Sequence, residues 1–187
     1  MKAPAPGNRR PWQRALALLW LLVLAAPVAA TAPEFSIKAA YLYKFASYVE
    51  WPDGTFPSPQ SPLVIGVIGD NELADELGRI VSGQTVQGHP VQTRRLQPDE
   101  PLAGVNVLLI GRLEGVALQK VLANAREHAV VTVTESEDGF AQGSMINLLV
   151  VENKVRFEVA LGPVESAHLH ISARMLSAAY SVQRGPK

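Results

Sequence analysis

Cysteine is absent from the 187-residue chain. Its absence excludes a disulfide scaffold, cysteine-based zinc or iron–sulfur ligation, thiol catalysis and lipoprotein acylation. Charge is scarce as well. Charged residues are 18%, with 17 basic against 17 acidic, below the roughly 25% of ordinary soluble domains. A formal charge of zero leaves no basic excess for nucleic acid. There is no Gly-x-Ser-x-Gly elbow, phosphate-binding loop or dinucleotide fingerprint, and no carboxylate pair spaced for acid–base work. These gaps argue against an enzyme and against a bound cofactor. What is present is apolar: 48% of residues, enough to exclude disorder for most of the chain. The length suits one domain.

The zero charge is unevenly spread. Lys2, Arg9, Arg10 and Arg14 precede an unbroken apolar run, Ala15 to Ala30, and no acid occurs before Glu34. A basic start, an apolar stretch and the small residues Val28, Ala29 and Ala30 predict a secretory signal peptide over 1–30, cleaved near Ala30. The run is 16 residues long and contains Pro27, whereas a spanning helix needs about 20. Four of the 17 basic residues and none of the 17 acids precede position 31, so 31–187 carries a formal −4. The expected product is a single exported domain, residues 31–187, without Asn-x-Ser/Thr sequons.

Apolar spacing predicts a helix over Phe35–Val49, stopped by Pro52 and a proline-rich loop. Leu63–Ile68, Val105–Ile110 and Val130–Thr134 read as strands buried on both faces, with a further strand at Pro90–Leu96. Helices are expected over Glu72–Val81, capped by Asp70 or Asn71, and over about Leu113–Glu127. This alternation predicts an α/β layered single domain with a mostly parallel central sheet and flanking helices. Met145–Val151 and Val155–Ala160, separated by Glu152-Asn153-Lys154, read as a C-terminal antiparallel hairpin. Gly162-Pro163 is expected to break the chain. Glu165–Ile171 then leads to a final helix, Ala173–Val182, capped by Ser172 and burying Met175, Leu176 and Ala179.

Two groups of residues are candidates for binding. The strand ends Gly69-Asp70-Asn71, Gly111-Arg112 and Thr134-Glu135 lie where open parallel sheets bind ligands; the alternative is that Asp70 caps its helix and the glycines serve tight turns. His168 and His170 flank Leu169, so on an extended segment both imidazoles share one face, and Arg174 adds a fixed charge suited to an anion. The alternative there is surface histidines before a helix. No third ligand stands at a metal-binding spacing, so no metal is expected. Trp51, beside Pro52, is expected to plug the end of the first helix, the alternative being an exposed recognition element. Glu135, Glu137 and Asp138 read as a solvated acidic loop.

The segment from Ile37 to Pro52 (Ile-Lys-Ala-Ala-Tyr-Leu-Tyr-Lys-Phe-Ala-Ser-Tyr-Val-Glu-Trp-Pro) resembles the opening of the YfiR family of periplasmic proteins. Three later blocks agree: Val64 to Asp70; Met145-Ile146-Asn147 with Val155-Arg156-Phe157-Glu158; and Leu169 to Leu176. The resemblance implies a periplasmic, often dimeric α/β regulator. It implies repression of an inner-membrane diguanylate cyclase through that enzyme's periplasmic sensor region, which lowers cyclic di-GMP and biofilm formation. It also implies a small-molecule ligand near His168 and His170. Relatives commonly carry cysteines whose disulfides tie stability or activity to redox state, a control this cysteine-free chain lacks. A second reading is a periplasmic small-molecule binding protein that senses or carries a solute.

Overall fold

The computed structural model describes residues 34–185. The expected signal peptide lies outside the described residues. The chain opens with helix α1 (Glu34–Tyr48) and the short strand β1 (Val49–Glu50). The alternation follows as β2 (Leu63–Ile68), α2 (Asn71–Val81), β3 (Thr85–Val86), β4 (His89–Leu96), β5 (Val107–Ile110), α3 (Gly115–Glu127) and β6 (Val131–Thr134). The C-terminal part holds α4 (Glu137–Ala141), β7 (Ile146–Val151), β8 (Lys154–Ala160), α5 (Leu161–Ser166), β9 (His170–Ile171), α6 (Ala173–Ala178) and β10 (Ser181–Gln183).

Eight strands form the main sheet in the order β10-β8-β7-β6-β5-β2-β4-β3. The run from β4 through β2, β5 and β6 to β7 is parallel, as the doubly buried apolar strands require. Alternate residues of β5 serve opposite layers. Val107 and Leu109 join the core beneath α1 and α2, whereas Leu108 and Ile110 pack with Leu118, Val121 and Leu122 of α3. Helices therefore cover both faces of the sheet. The expected layered α/β class with a mostly parallel sheet is the class observed.

The hairpin is tighter than its sequence suggests. Val151 pairs with Lys154, leaving Glu152 and Asn153 as a two-residue turn with φ of 49° and 59°. Positive φ at both positions is the turn whose twist matches the flanking strands.

Three expectations need correction. Pro163 does not break the chain but sits in the first turn of α5, where a missing N–H costs no helical bond. The last helix ends at Ala178 rather than Val182, because Ala179 turns extended. The N–H of Tyr180 donates to Phe157 O (2.8 Å), and β10 pairs with β8. A Tyr-Ser-Val stretch favours that pairing once an open strand is beside it. The acidic loop is in part a helix: Ser136 Oγ accepts from Gly139 N (3.0 Å) and places Glu137 and Asp138 in the first turn of α4. Carboxylates there oppose the positive end of the helix dipole.

Candidate functional site

The sheet order reverses between β2 and β5, which makes their C-terminal ends the topological switch point. The aspartate, the glycines and Glu135 there are spent on structure, while Asn71 and Arg112 are exposed. Asp70 Oδ1 accepts from Leu73 N (2.9 Å) and caps α2. Gly111 N donates to Ile68 O (2.8 Å). Gly69 has φ +78°, and a Cβ on it would stand 2.5 Å from Gly111 O, so the two loops touch backbone to backbone. Glu135, beyond β6, is taken by Lys38. The helix-cap and tight-turn reading of this end therefore holds.

Three of the four blocks that carried the family resemblance, all but Val64 to Asp70, meet elsewhere, at one corner of the domain. Tyr41 and Phe45 of α1 pack on each other (ring centroids 5.6 Å apart) and on Phe157 of β8 (5.5 and 4.9 Å). Val49 and Glu50 pair antiparallel with Ile171 and His170. Asn147 stands opposite Glu158 across the hairpin, and its Nδ2 donates to Glu158 Oε1 (3.1 Å). Lys38 bridges Glu34 (2.7 Å) and Glu135 (2.9 Å), tying α1 to the end of β6. Burial of Lys38 on its own lowers its pKa, but hydrogen bonds from Nζ to Glu34 and Glu135 and the charge of both acids outweigh this and raise it above 10.5.

At this corner lies a cavity of about 250 Å³, lined in part by Tyr41, Lys44, Phe45, Tyr48, Phe157 and Arg174. Met175, at its wall, is buried, whereas Lys44 and Arg174 are exposed. The result is an aromatic floor with cationic side chains at its edge, chemistry that suits a small anion with an apolar or aromatic body.

The expected trio divides over this geometry. Arg174, at the start of α6, reaches the cavity, while neither His168 nor His170 is part of its lining. His168 is not extended: it closes α5 with φ 55°, its N–H donating to Glu165 O (3.0 Å). Only His170 lies on a strand, so the imidazoles are not carried on one strand face. A helix C-terminus that ends on a left-handed residue gives no periodic signal in composition. The α1 contributors to the cavity were missed because Tyr41, Phe45 and Tyr48 read as a core stripe. Among the described residues, no group of three or more His, Asp or Glu stands close enough to hold a metal ion.

Trp51 is half-buried and packs against the main core, as a plug should. It also walls a second cleft, of about 440 Å³, with Phe56 and His89. Its indole N–H is shielded from solvent and finds no acceptor among the described residues.

Fold and site together define a layered α/β module whose cavity is built by the first helix and the C-terminal elements. The YfiR/HmsC-like family model matches residues 35–180, and the chain belongs to that family. Its members are periplasmic regulators in cyclic di-GMP signalling. No helix among the described residues is long and apolar enough to cross a membrane.

Among solved structures, a conserved domain protein from Vibrio cholerae O1 biovar El Tor shares the fold. It has a TM-score of 0.53 at 10% identity, over 80% of this chain and 60% of that one. An ABC domain from Streptococcus pneumoniae in complex with L-Trp is similar at a TM-score of 0.47 and 9% identity, over 64% and 55%. The chain thus spans little more than half the length of either.

Proposed function

We propose that this protein is exported to the periplasm and there binds and represses the periplasmic sensor region of an inner-membrane diguanylate cyclase, lowering cyclic di-GMP and biofilm formation. The observation that carries the reading is the family match over 35–180. The basic and apolar pattern of residues 1–30 supports export. Deleting the gene is expected to raise cellular cyclic di-GMP. The full chain restores the low level, whereas a chain lacking residues 1–30 does not. Unchanged cyclic di-GMP across several growth conditions contradicts the reading.

A small ligand is proposed to bias that repression, held by Arg174 with His168 and His170 nearby. The cavity at the base of α6 supports this, because binding in it couples α1 to the C-terminal elements. A periplasmic small-molecule binding protein, acting as a ligand sensor or solute carrier, is the second reading, favoured by the same cavity. Thermal-shift screening with small organic anions should give saturable stabilisation that Arg174→Ala removes. His170→Ala then reports whether the imidazole takes part. A homodimer is the expected assembly, checked by light scattering.

A further inference from the structure

The second cleft is chemically unlike the first. It lies between the proline-rich loop after β1 and the β3–β4 hairpin, away from the α1–α6 corner. Trp51 and Phe56 meet at close to a right angle (85°, centroids 6.4 Å apart), so the two rings form adjacent walls. His89, also in the lining, stacks on Phe56 at 3.8 Å. Among the described residues that line it there is one carboxylate, the exposed Asp53, and no lysine or arginine.

The lining offers more free acceptors than free donors. Pro52, Pro57 and Pro59 have no N–H. Ser58 N already donates to Ser61 Oγ (3.0 Å), and Ser58 Oγ shares a hydrogen bond with the same oxygen (3.2 Å). Gln87 Nε2 donates one hydrogen to Val49 O (2.9 Å), which leaves its second N–H and its amide oxygen uncommitted. His89 Nδ1 is 2.9 Å from Ser61 O. A carbonyl only accepts, so that nitrogen carries the proton, and Nε2 of the neutral ring is an acceptor. The indole N–H of Trp51 is shielded from solvent.

An anion would find no lysine or arginine in the described lining, and a neutral acceptor would meet the second Gln87 N–H and the shielded Trp51 indole. A cation would find aromatic side chains, a carboxylate and further lone pairs. From this we infer that the cleft is a binding site for a small organic cation of the quaternary or methylated ammonium type. Such a group has no N–H, or few, to satisfy, and it is attracted by the negative faces of Trp and Phe. The volume, about 440 Å³, lies within the range of small-molecule sites. The formal −4 of residues 31–187 favours a cation at longer range as well.

The chain has three tryptophans, Trp12, Trp20 and Trp51. A full-length Trp12→Phe/Trp20→Phe variant therefore reports the cleft alone by fluorescence. Choline and its uncharged isostere 3,3-dimethylbutan-1-ol serve as probes. Choline should change Trp51 emission saturably and the alcohol should not. In the same background, Asp53→Asn and Phe56→Leu should each weaken choline binding about fivefold or more. Thermal melting shows that each variant is folded, and Asp53→Asn, at an exposed position, keeps the test open if Phe56→Leu does not fold. The inference is overturned by the absence of saturable binding, by equal binding of the alcohol, or by an unchanged affinity in folded Asp53→Asn.

Discussion

Replacing Lys38 by methionine tests whether the ion bridge between α1 and the end of β6 holds the site corner together. The methionine keeps most of the apolar stem and removes the charge. Lys38 is 14% exposed, Glu135 25% and Glu34 55%. Glu34 loses little, since exposed pairs contribute about 0–1 kcal/mol. Glu135 loses its cation while its Oε1 remains shielded without a partner. Removing one member of a fully buried pair costs about 3–5 kcal/mol, and this half-buried case should fall near 2 kcal/mol. For a domain of this size that lowers the melting temperature by about 4–8 °C. Because the folded-state pKa of Lys38 is raised, the stabilisation is complete below pH 10.5 and is lost as the pH climbs through the folded value. The chain with Lys38 should therefore lose more stability above pH 10.5 than Lys38→Met does. Urea unfolding of Lys38→Met, Glu135→Gln and the double variant measures the coupling. The double variant should be more stable than additivity predicts by about 1 kcal/mol or more. A loss below about 0.5 kcal/mol for Lys38→Met, or strict additivity, refutes the reasoning.

Gly69→Ala should destabilise by about 2 kcal/mol or more, because the left-handed backbone is penalised and the new methyl meets an immovable carbonyl. Gly54→Ala is its control: φ is +85° there but no atom lies within 4 Å, so chemical unfolding should show about 1 kcal/mol. Asp70→Ala should cost about 1 kcal/mol through the lost cap of α2, while Asp70→Asn stays close to the parent.

The parts of the fold that declared themselves in sequence were those in which local pattern and burial agree. Leu63–Ile68 is apolar at both parities apart from Gly66 and lies in the middle of the sheet. Asp70 stands where an amphipathic helix needs a side-chain acceptor, and Val155, Phe157 and Val159 alternate with Arg156 and Glu158 because one face is wet. What escaped depends on distant partners. Val49 ends α1 as a strand residue only because Ile171, more than a hundred positions on, supplies its ladder. Ser181–Gln183 leaves the helical pattern because β8 offers an open edge. Arg174 was legible as a charge beside a helix cap. Its neighbours Tyr41 and Tyr48 were not, since an aromatic on a helix stripe looks the same whether it fills a core or floors a cavity. The left-handed turn at His168, in place of an extended segment, carries no periodicity in sequence.

The most direct test of the regulatory account is co-purification of the epitope-tagged full chain from detergent-solubilised inner membranes. The account predicts that a membrane protein bearing a diguanylate cyclase domain elutes with it in stoichiometric amount. Elution of the tagged chain alone, from membranes shown to contain such cyclases, would contradict it.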